Sequence, residues 1–519
     1  MALHREHDGA GPHGAGGTRP ATRHVDAPAE HVTLSRLVAP RAERSGDRTA
    51  LSYEGERWTY ADLSAAADAL AFEMTAAGLS GERVALMLPN RPETVLAYLA
   101  CFTSGAIAAP LNSRYAPPEI EQALGRARPA WLIVHSSRLE ALDEVDPAAL
   151  AGVRVLVVGG GERYESLAPL LTPHPVPRPK EQASEHPAVL FFTSGSTGIP
   201  KGVLHSHSSA LAMLTSTSEA LGDVDAEDVV QVCEPQVHVS GFIATLTTLM
   251  SGGTVVLHDG FDVKRYVAGL LEHRPTLICT HIDILAQLVH APGASREWFS
   301  SLRGVYTGGD TVPAALQREF TELSREPIAV GWGMTEAIWL TVVREPHLER
   351  DGCIGSPVTG AEVRADERTG ELLVRGPMLM SRYWQDEALT RELMAGGWLH
   401  TGDLGSQDAD GLWWFRGRLK ELIVRRTSKI TPGEVEAAID ENTAVAAAAV
   451  VAAPDRDEGQ VPVAFVVPRH GHSLSAADLL DSLRGRIAEY KLPARVHFLD
   501  ALPLTASGKI ARHDLHEPV

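Results

Sequence analysis

A short apolar run, Ala188-Val189-Leu190-Phe191-Phe192, ends in Thr193-Ser194-Gly195-Ser196-Thr197-Gly198-Ile199-Pro200-Lys201-Gly202. The run reads as a buried strand, since continuous apolar character suits a strand covered on both faces. The segment after it cannot continue the strand, because glycines, hydroxyls and a proline force a loop. Glycines let backbone N–H groups turn toward an anion, hydroxyls add donors, and Lys201 adds charge. The fold must therefore supply a sheet that presents a phosphate cradle at its edge. The Walker pattern is excluded: it places Ser or Thr after Gly-Lys, and here Gly202 follows Lys201.

Further apolar runs at 84–88, 131–134, 153–158 and 254–257 read as strands, whereas 60–77 and 92–103 carry helical patterns. Alternation of this kind predicts an α/β protein with parallel-rich sheets flanked by helices. At 519 residues the chain exceeds one core. Past residue 419 the pattern changes. Thr431-Pro432-Gly433-Glu434 is a capping box with proline in the first turn, opening a helix through 435–439. Strands at 444–451, 461–467 and 495–499 and a helix at 476–489 complete a small α+β unit. The expected organisation is an extension at 1–29, a large domain at 30–418 and a small one at 419–519. The extension is rich in Gly, His, Arg and Pro and lacks an apolar segment. It reads as disordered rather than as a secretory signal.

Charge narrows the partners. Lys and Arg number 47 against 66 Asp and Glu, a net charge of −19. That disfavours nucleic acid, which needs a basic surface. No apolar stretch reaches the ~20 residues that a membrane span requires. Cys101, Cys233, Cys279 and Cys353 are scattered without CxxC spacing. They form neither a disulfide framework nor a zinc site, and suit a cytoplasmic protein.

Four more segments carry polar chemistry in order: Gly331-Trp332-Gly333-Met334-Thr335-Glu336-Ala337; Trp398-Leu399-His400-Thr401-Gly402-Asp403-Leu404-Gly405; Gly417-Arg418-Leu419-Lys420-Glu421-Leu422-Ile423; and Pro503-Leu504-Thr505-Ala506-Ser507-Gly508-Lys509. Together with the phosphate loop they resemble the ANL superfamily of adenylate-forming enzymes. That superfamily includes acyl-CoA synthetases, aryl-CoA ligases, peptide-synthetase adenylation domains and luciferases. The resemblance runs from about Leu34 to the C-terminus and implies ATP and Mg²⁺ as cofactors. A carboxylate repels nucleophiles; transfer onto the α-phosphate of ATP makes it an acyl-adenylate with AMP as leaving group. The site must neutralise a triphosphate and align the acid in line.

The resemblance implies a role for each residue. Thr193, Ser194, Gly195, Ser196, Thr197, Gly198 and Lys201 wrap the departing β- and γ-phosphates. Thr335 bonds the α-phosphate, and Glu336 holds Mg²⁺, a hard cation suited to carboxylate oxygen. Trp332 and Gly333 on one side, and Gly308, Gly309 and Asp310 on the other, border the adenine. Asp403 accepts from the ribose hydroxyls and Arg418 contacts ribose or phosphate. Lys509 is the catalytic lysine, stabilising charge at the reacting carboxylate and α-phosphate. Lys420 is the hinge of a mobile small domain.

Glu234-Pro235-Gln236-Val237-His238-Val239-Ser240-Gly241 matches the family's acyl-pocket entrance, with His238 beside the carboxylate and thiol passage. A histidine there, rather than an ammonium-binding aspartate, favours a fatty or aryl acid over an amino or β-amino acid. Phe242, His281, Ile282, Tyr306 and Gly333 join His238 in lining a mostly apolar pocket. CoA is the expected thiol acceptor, with the phosphopantetheine arm of an acyl carrier protein as the alternative. A homodimer is compatible with all of this, and a non-catalytic nucleotide- or acyl-binding relative is the reading from another class. The intact set Lys201, Thr335, Glu336, Asp403, Arg418 and Lys509 argues against the last. One departure stands out: where many members carry Gly-Gly after the hinge, this chain has Arg425-Arg426-Thr427-Ser428. Two arginines there suit a phosphate on CoA or a carrier arm, or an acidic carrier surface.

Overall fold

The computed structural model describes residues 33–161, 163–177, 180–193, 201–309, 312–345, 352–426, 428–456, 458–469, 471–484, 486–504 and 510–516. The expected extension at 1–29 lies outside them, as do Ser194, Gly195, Ser196, Thr197, Gly198, Asp310 and Lys509.

Short β-branched and aliphatic runs build three sheets among the described residues. The largest has thirteen strands. Six neighbours in it run parallel: Thr49–Tyr53, Thr254–Leu257, Val229–Val232, Leu277–Cys279, Gly304–Gly308 and Ile328–Met334. The rest of this sheet, from Ala337–Val343 outward, is antiparallel. An eight-stranded sheet holds the other parallel run, centred on Arg83–Met87 and Ile107–Pro110. The fold is therefore α/β with mixed sheets, a large N-terminal domain and a small C-terminal one. Helices such as Tyr60–Ala76 and Pro92–Ser104 pack over the sheets, and one large core joins their buried faces.

The small domain has five strands and an apolar core of its own around Ile423, Val435, Ile439, Val466 and Leu479. Its first helix, Pro432–Asp440, starts on the expected capping box of Thr431 and Glu434. The helix expected over 476–489 is shorter: Ala476–Leu483, with Arg484 extended at ψ 133°. Leu479 and Leu483 give it one buried stripe. Gly485 then follows, a residue that a helix interior disfavours. No helix among the described residues is long and apolar enough to cross a membrane.

Candidate active site

Because six neighbouring strands run parallel, their carboxyl ends open along one edge, where open α/β sheets bind ligands. Two residues past Val229–Val232 stands Glu234, and two past Leu277–Cys279 stands His281. Gly304–Gly308 ends at the predicted adenine neighbour Gly308, and Thr335 and Glu336 follow Ile328–Met334. Chain order thus delivers the candidate residues to one line, with the candidate nucleotide residues toward one end and the candidate acid-pocket residues toward the other.

At the nucleotide end, Thr335 and Glu336 form the two-residue connection of a hairpin in which Met334 pairs with Ala337. The buried His205 ring donates to the Thr335 carbonyl from Nε2 (2.9 Å) and fixes the turn. Burial pushes that histidine down to about 4, so it is neutral. Glu336 is only 7% exposed and accepts from the Tyr383 hydroxyl at Oε1 (2.7 Å). Tyr383 lies in a short strand antiparallel to Lys201–Ser206, the return strand of the phosphate loop. The Lys201 ammonium sits 5.7 Å from the Tyr383 ring centroid. Burial holds the Glu336 carboxyl above its ordinary range, against the Tyr383 hydrogen bond and the Lys201 charge. A buried carboxylate that no cation pairs with among the described residues fits a hard divalent ion, which would share it with ligand phosphates. Nearby, Asp403 accepts from the Trp332 indole N–H (3.0 Å), with Arg418 Nε 3.4 Å from its other oxygen.

At the acid end, His238 occupies the N-cap position of the buried helix Val239–Ser251, which carries Phe242. Gly241 lets the first turn close, because a Cβ there would fall 2.3 Å from the Pro235 carbonyl oxygen. Glu234, 3% exposed, accepts from Thr280 Oγ1 (2.7 Å) and from the His281 backbone N–H (3.0 Å) at one oxygen. Its other oxygen lies 2.9 Å from His281 Nε2. Burial alone would raise this carboxyl; these donors outweigh it and hold it below the ordinary range. Asn90, from the other large sheet, donates to the carbonyls of Cys233, Glu234 and His258 and accepts from the Gln236 N–H. Trp339 lies flat on two glycines: a Cβ at Gly331 would fall 2.3 Å from its ring, and one at Gly308 2.4 Å. The ring is 6% exposed and its N–H meets no acceptor among the described residues.

Comparison with known proteins decides what this edge belongs to. Residues 38–384 match the AMP-binding enzyme family, and residues 434–509 match the AMP-binding enzyme C-terminal domain. The chain belongs to the AMP-binding enzyme family. It is 34% identical to the indoleacetate–CoA ligase of Aromatoleum aromaticum, over 94% of this chain and 98% of that one. It is 33% identical to a feruloyl-CoA synthase from an Amycolatopsis species, over 92% and 96%. Among solved structures it superposes on an anthranilate CoA ligase in complex with anthranoyl-AMP. There the TM-score is 0.85 and the identity 26%, covering 93% of this chain and 96% of that one. The chain is thus an adenylate-forming enzyme of the ANL superfamily, an ATP-dependent, AMP-forming acid–thiol ligase.

Several predicted residues of this AMP-binding enzyme meet directly. Trp332, Asp403 and Arg418 form one contact chain, and Glu336 and Lys201 approach through Tyr383. His238, His281, Ile282, Gly308, Gly309 and Gly333 lie at or beside the carboxyl edge, whereas Phe242 and Tyr306 are buried in the core, Phe242 against Tyr98, Phe102 and Phe191. Lys420 is exposed in the short turn Leu419–Glu421 between the domains. Sequence reasoning missed Tyr383, Glu234, Asn90 and Trp339. The available signals were the aromatic pair Tyr383-Trp384 and a charged residue set between a buried strand and Pro235.

The double arginine divides. Arg425 pairs through Nε and Nη2 with Glu458 and donates from Nη1 to the Tyr490 carbonyl (2.9 Å), so it is spent inside the small domain. Arg425 pairs with Ser428 across a hairpin, with Arg426 just past the pair. Arg426 has φ +55°, a left-handed conformation that favours glycine, and its side chain is 71% exposed. A two-arginine phosphate clamp is therefore not preformed: Arg425 is held inside the domain, and exposed Arg426 has its Nε 3.9 Å from Glu458 Oε2.

Proposed function

We propose that this ligase activates an aromatic carboxylic acid to its acyl-adenylate and transfers the acyl group to CoA. The observation that carries the reading is the hairpin that joins the Thr335-Glu336 turn to Trp339, whose ring lies against Gly308 and Gly331 at the carboxyl edge. Flat aromatic surface suits a flat acid. The names of the relatives, which act on indoleacetate and form feruloyl-CoA, support the same class.

In this reading residues 193–201 hold the β- and γ-phosphates, and Thr335 holds the α-phosphate. Glu336 takes Mg²⁺, which supplies positive charge at the phosphates when bound. Trp332, Gly308, Gly309, Gly333 and Asp310 border the adenine. Asp403 takes the ribose hydroxyls with Arg418 beside it. Lys509 neutralises charge developing between carboxylate and α-phosphate. His238 lies where the acid's carboxylate meets the thiol. The small domain begins at residue 419 and turns about Lys420.

The test is a panel of aryl, fatty and amino acids assayed for acid-dependent pyrophosphate exchange. Product mass is then measured with CoA or with a holo carrier protein as acceptor. Exchange driven by aryl acids and a CoA thioester product are expected. Exchange with none of the acids would remove the activation claim, and a product formed only on the carrier protein would change the acceptor.

A further inference from the structure

Glu234 is an anion almost wholly out of water, its residue 3% exposed. Taking a carboxylate out of water costs several kcal/mol unless it is paired and hydrogen-bonded. Apolar residues would fill the space at less cost, so the charge calls for a use. The geometry supplies one. The carboxylate grips residue 281 at two points, the backbone N–H on one oxygen and the ring Nε2 near the other. Backbone and ring are thereby fixed together, and the Thr280 hydroxyl and the Asn90 hub hold the carboxylate's own side. Within the pair the glutamate is 3% exposed and the imidazole 28%, so the histidine is the member that faces outward. It stands at the carboxyl edge beside Tyr306, whose carbonyl accepts from the Thr280 N–H (3.0 Å).

We infer that Glu234 positions His281 as a polar wall of the acid site. The enzyme then selects aromatic acids carrying a hydrogen-bonding substituent over hydrocarbon acids of the same shape. This rests on the proposed function, because it assigns a preference within that acid pocket. Discrimination of this kind is strong, because a polar wall rewards a ligand group that can hydrogen-bond to it and gives the hydrocarbon analogue nothing in return.

The test compares matched acids in pyrophosphate exchange: 4-hydroxyphenylpropanoate with phenylpropanoate, and indole-3-acetate with 1-naphthaleneacetate. The parent enzyme favours the polar member in kcat/KM by about tenfold or more. Exchanging a buried ion pair for apolar side chains of similar volume is often tolerated, so the E234L/H281L double variant is the main probe. It brings the ratio to about one or inverts it, with the KM for ATP unchanged. The isosteric E234Q variant raises KM for the polar acids but not for ATP, and it decides the matter if the double variant does not fold. A parent that exchanges with no acid overturns the functional reading and this inference together. Exchange with no polar preference in the parent, or with a preference the variants leave unmoved, overturns the inference alone.

Discussion

Glu336 and Glu234 are the same residue type, equally hidden, on one sheet edge, yet their carboxyls are pushed in opposite directions. Burial acts on both. Glu336 has the Tyr383 hydroxyl, its own backbone N–H and the Lys201 charge beyond Tyr383, and these do not offset its burial. Glu234 has a hydroxyl, a backbone N–H and an imidazole. The nucleotide end leaves a demand for positive charge that a ligand's cation can meet. The proposed acid end has its counter-group built in, so that in the proposed function shape and hydrogen bonding choose the substrate. Shared chemistry and private selectivity thus differ in where the neutralising partner comes from.

Replacing Glu336 strikes the shared side hardest. Glu336→Gln should slow adenylate formation by about 10²–10³-fold, the scale of losing one charge-stabilising group. All acids should suffer alike, and a variant that re-ranks acids instead would break the contrast. The same variant should melt higher than the parent at neutral pH. A carboxyl raised on folding stabilises the fold below its unfolded value, and that contribution is lost as pH rises through the folded one. Calorimetry between pH 4.5 and 8 reads the difference.

Gly331→Ala acts at the acid end. Its Cβ meets the Trp339 ring at 2.3 Å, so the ring must move. Overpacking of this kind costs about 1–3 kcal/mol. Acid preference should change while the KM for ATP holds, and an unaltered ranking would remove Trp339 from the pocket wall.

Tyr383→Phe is the mildest. It removes one hydrogen bond, worth about 1 kcal/mol. The expected result is a several-fold change in the Mg²⁺ concentration needed for half-maximal exchange, with acid KM values unchanged. Calorimetric titration of Mg²⁺ with ATP present checks this apart from turnover, and an effect on acids alone would move Tyr383 to the other end.

What was legible in the sequence follows the same division. The family motifs around Thr335-Glu336 and Asp403 and the capping box at Thr431 were readable, because each is a short segment set by local residue order. Tyr383 and Glu336 are 47 positions apart, as are Glu234 and His281. Their meeting depends on strand order in the folded sheets, which no local pattern encodes. The overlong helix at 476–489 failed for another reason: its apolar spacing runs on while Gly485 ends the favourable propensity. Arg425 shows the limit of reading charge alone, since its partner Glu458 is 33 positions away and meets it only because Ile423–Arg425 pairs with Gly459–Pro468.

Asn90 has a consequence for recombination. Its side chain, set just after a strand of the eight-stranded sheet, ties together backbone at residues 233, 234, 236 and 258. The unit around Glu234 is therefore discontinuous in the gene. A chimera that exchanges residues 229–309 with a relative, but crosses over after residue 90, parts those loops from the side chain that fits them. Breakpoints that carry residues 88–94 along with 229–309 keep the inherited unit whole.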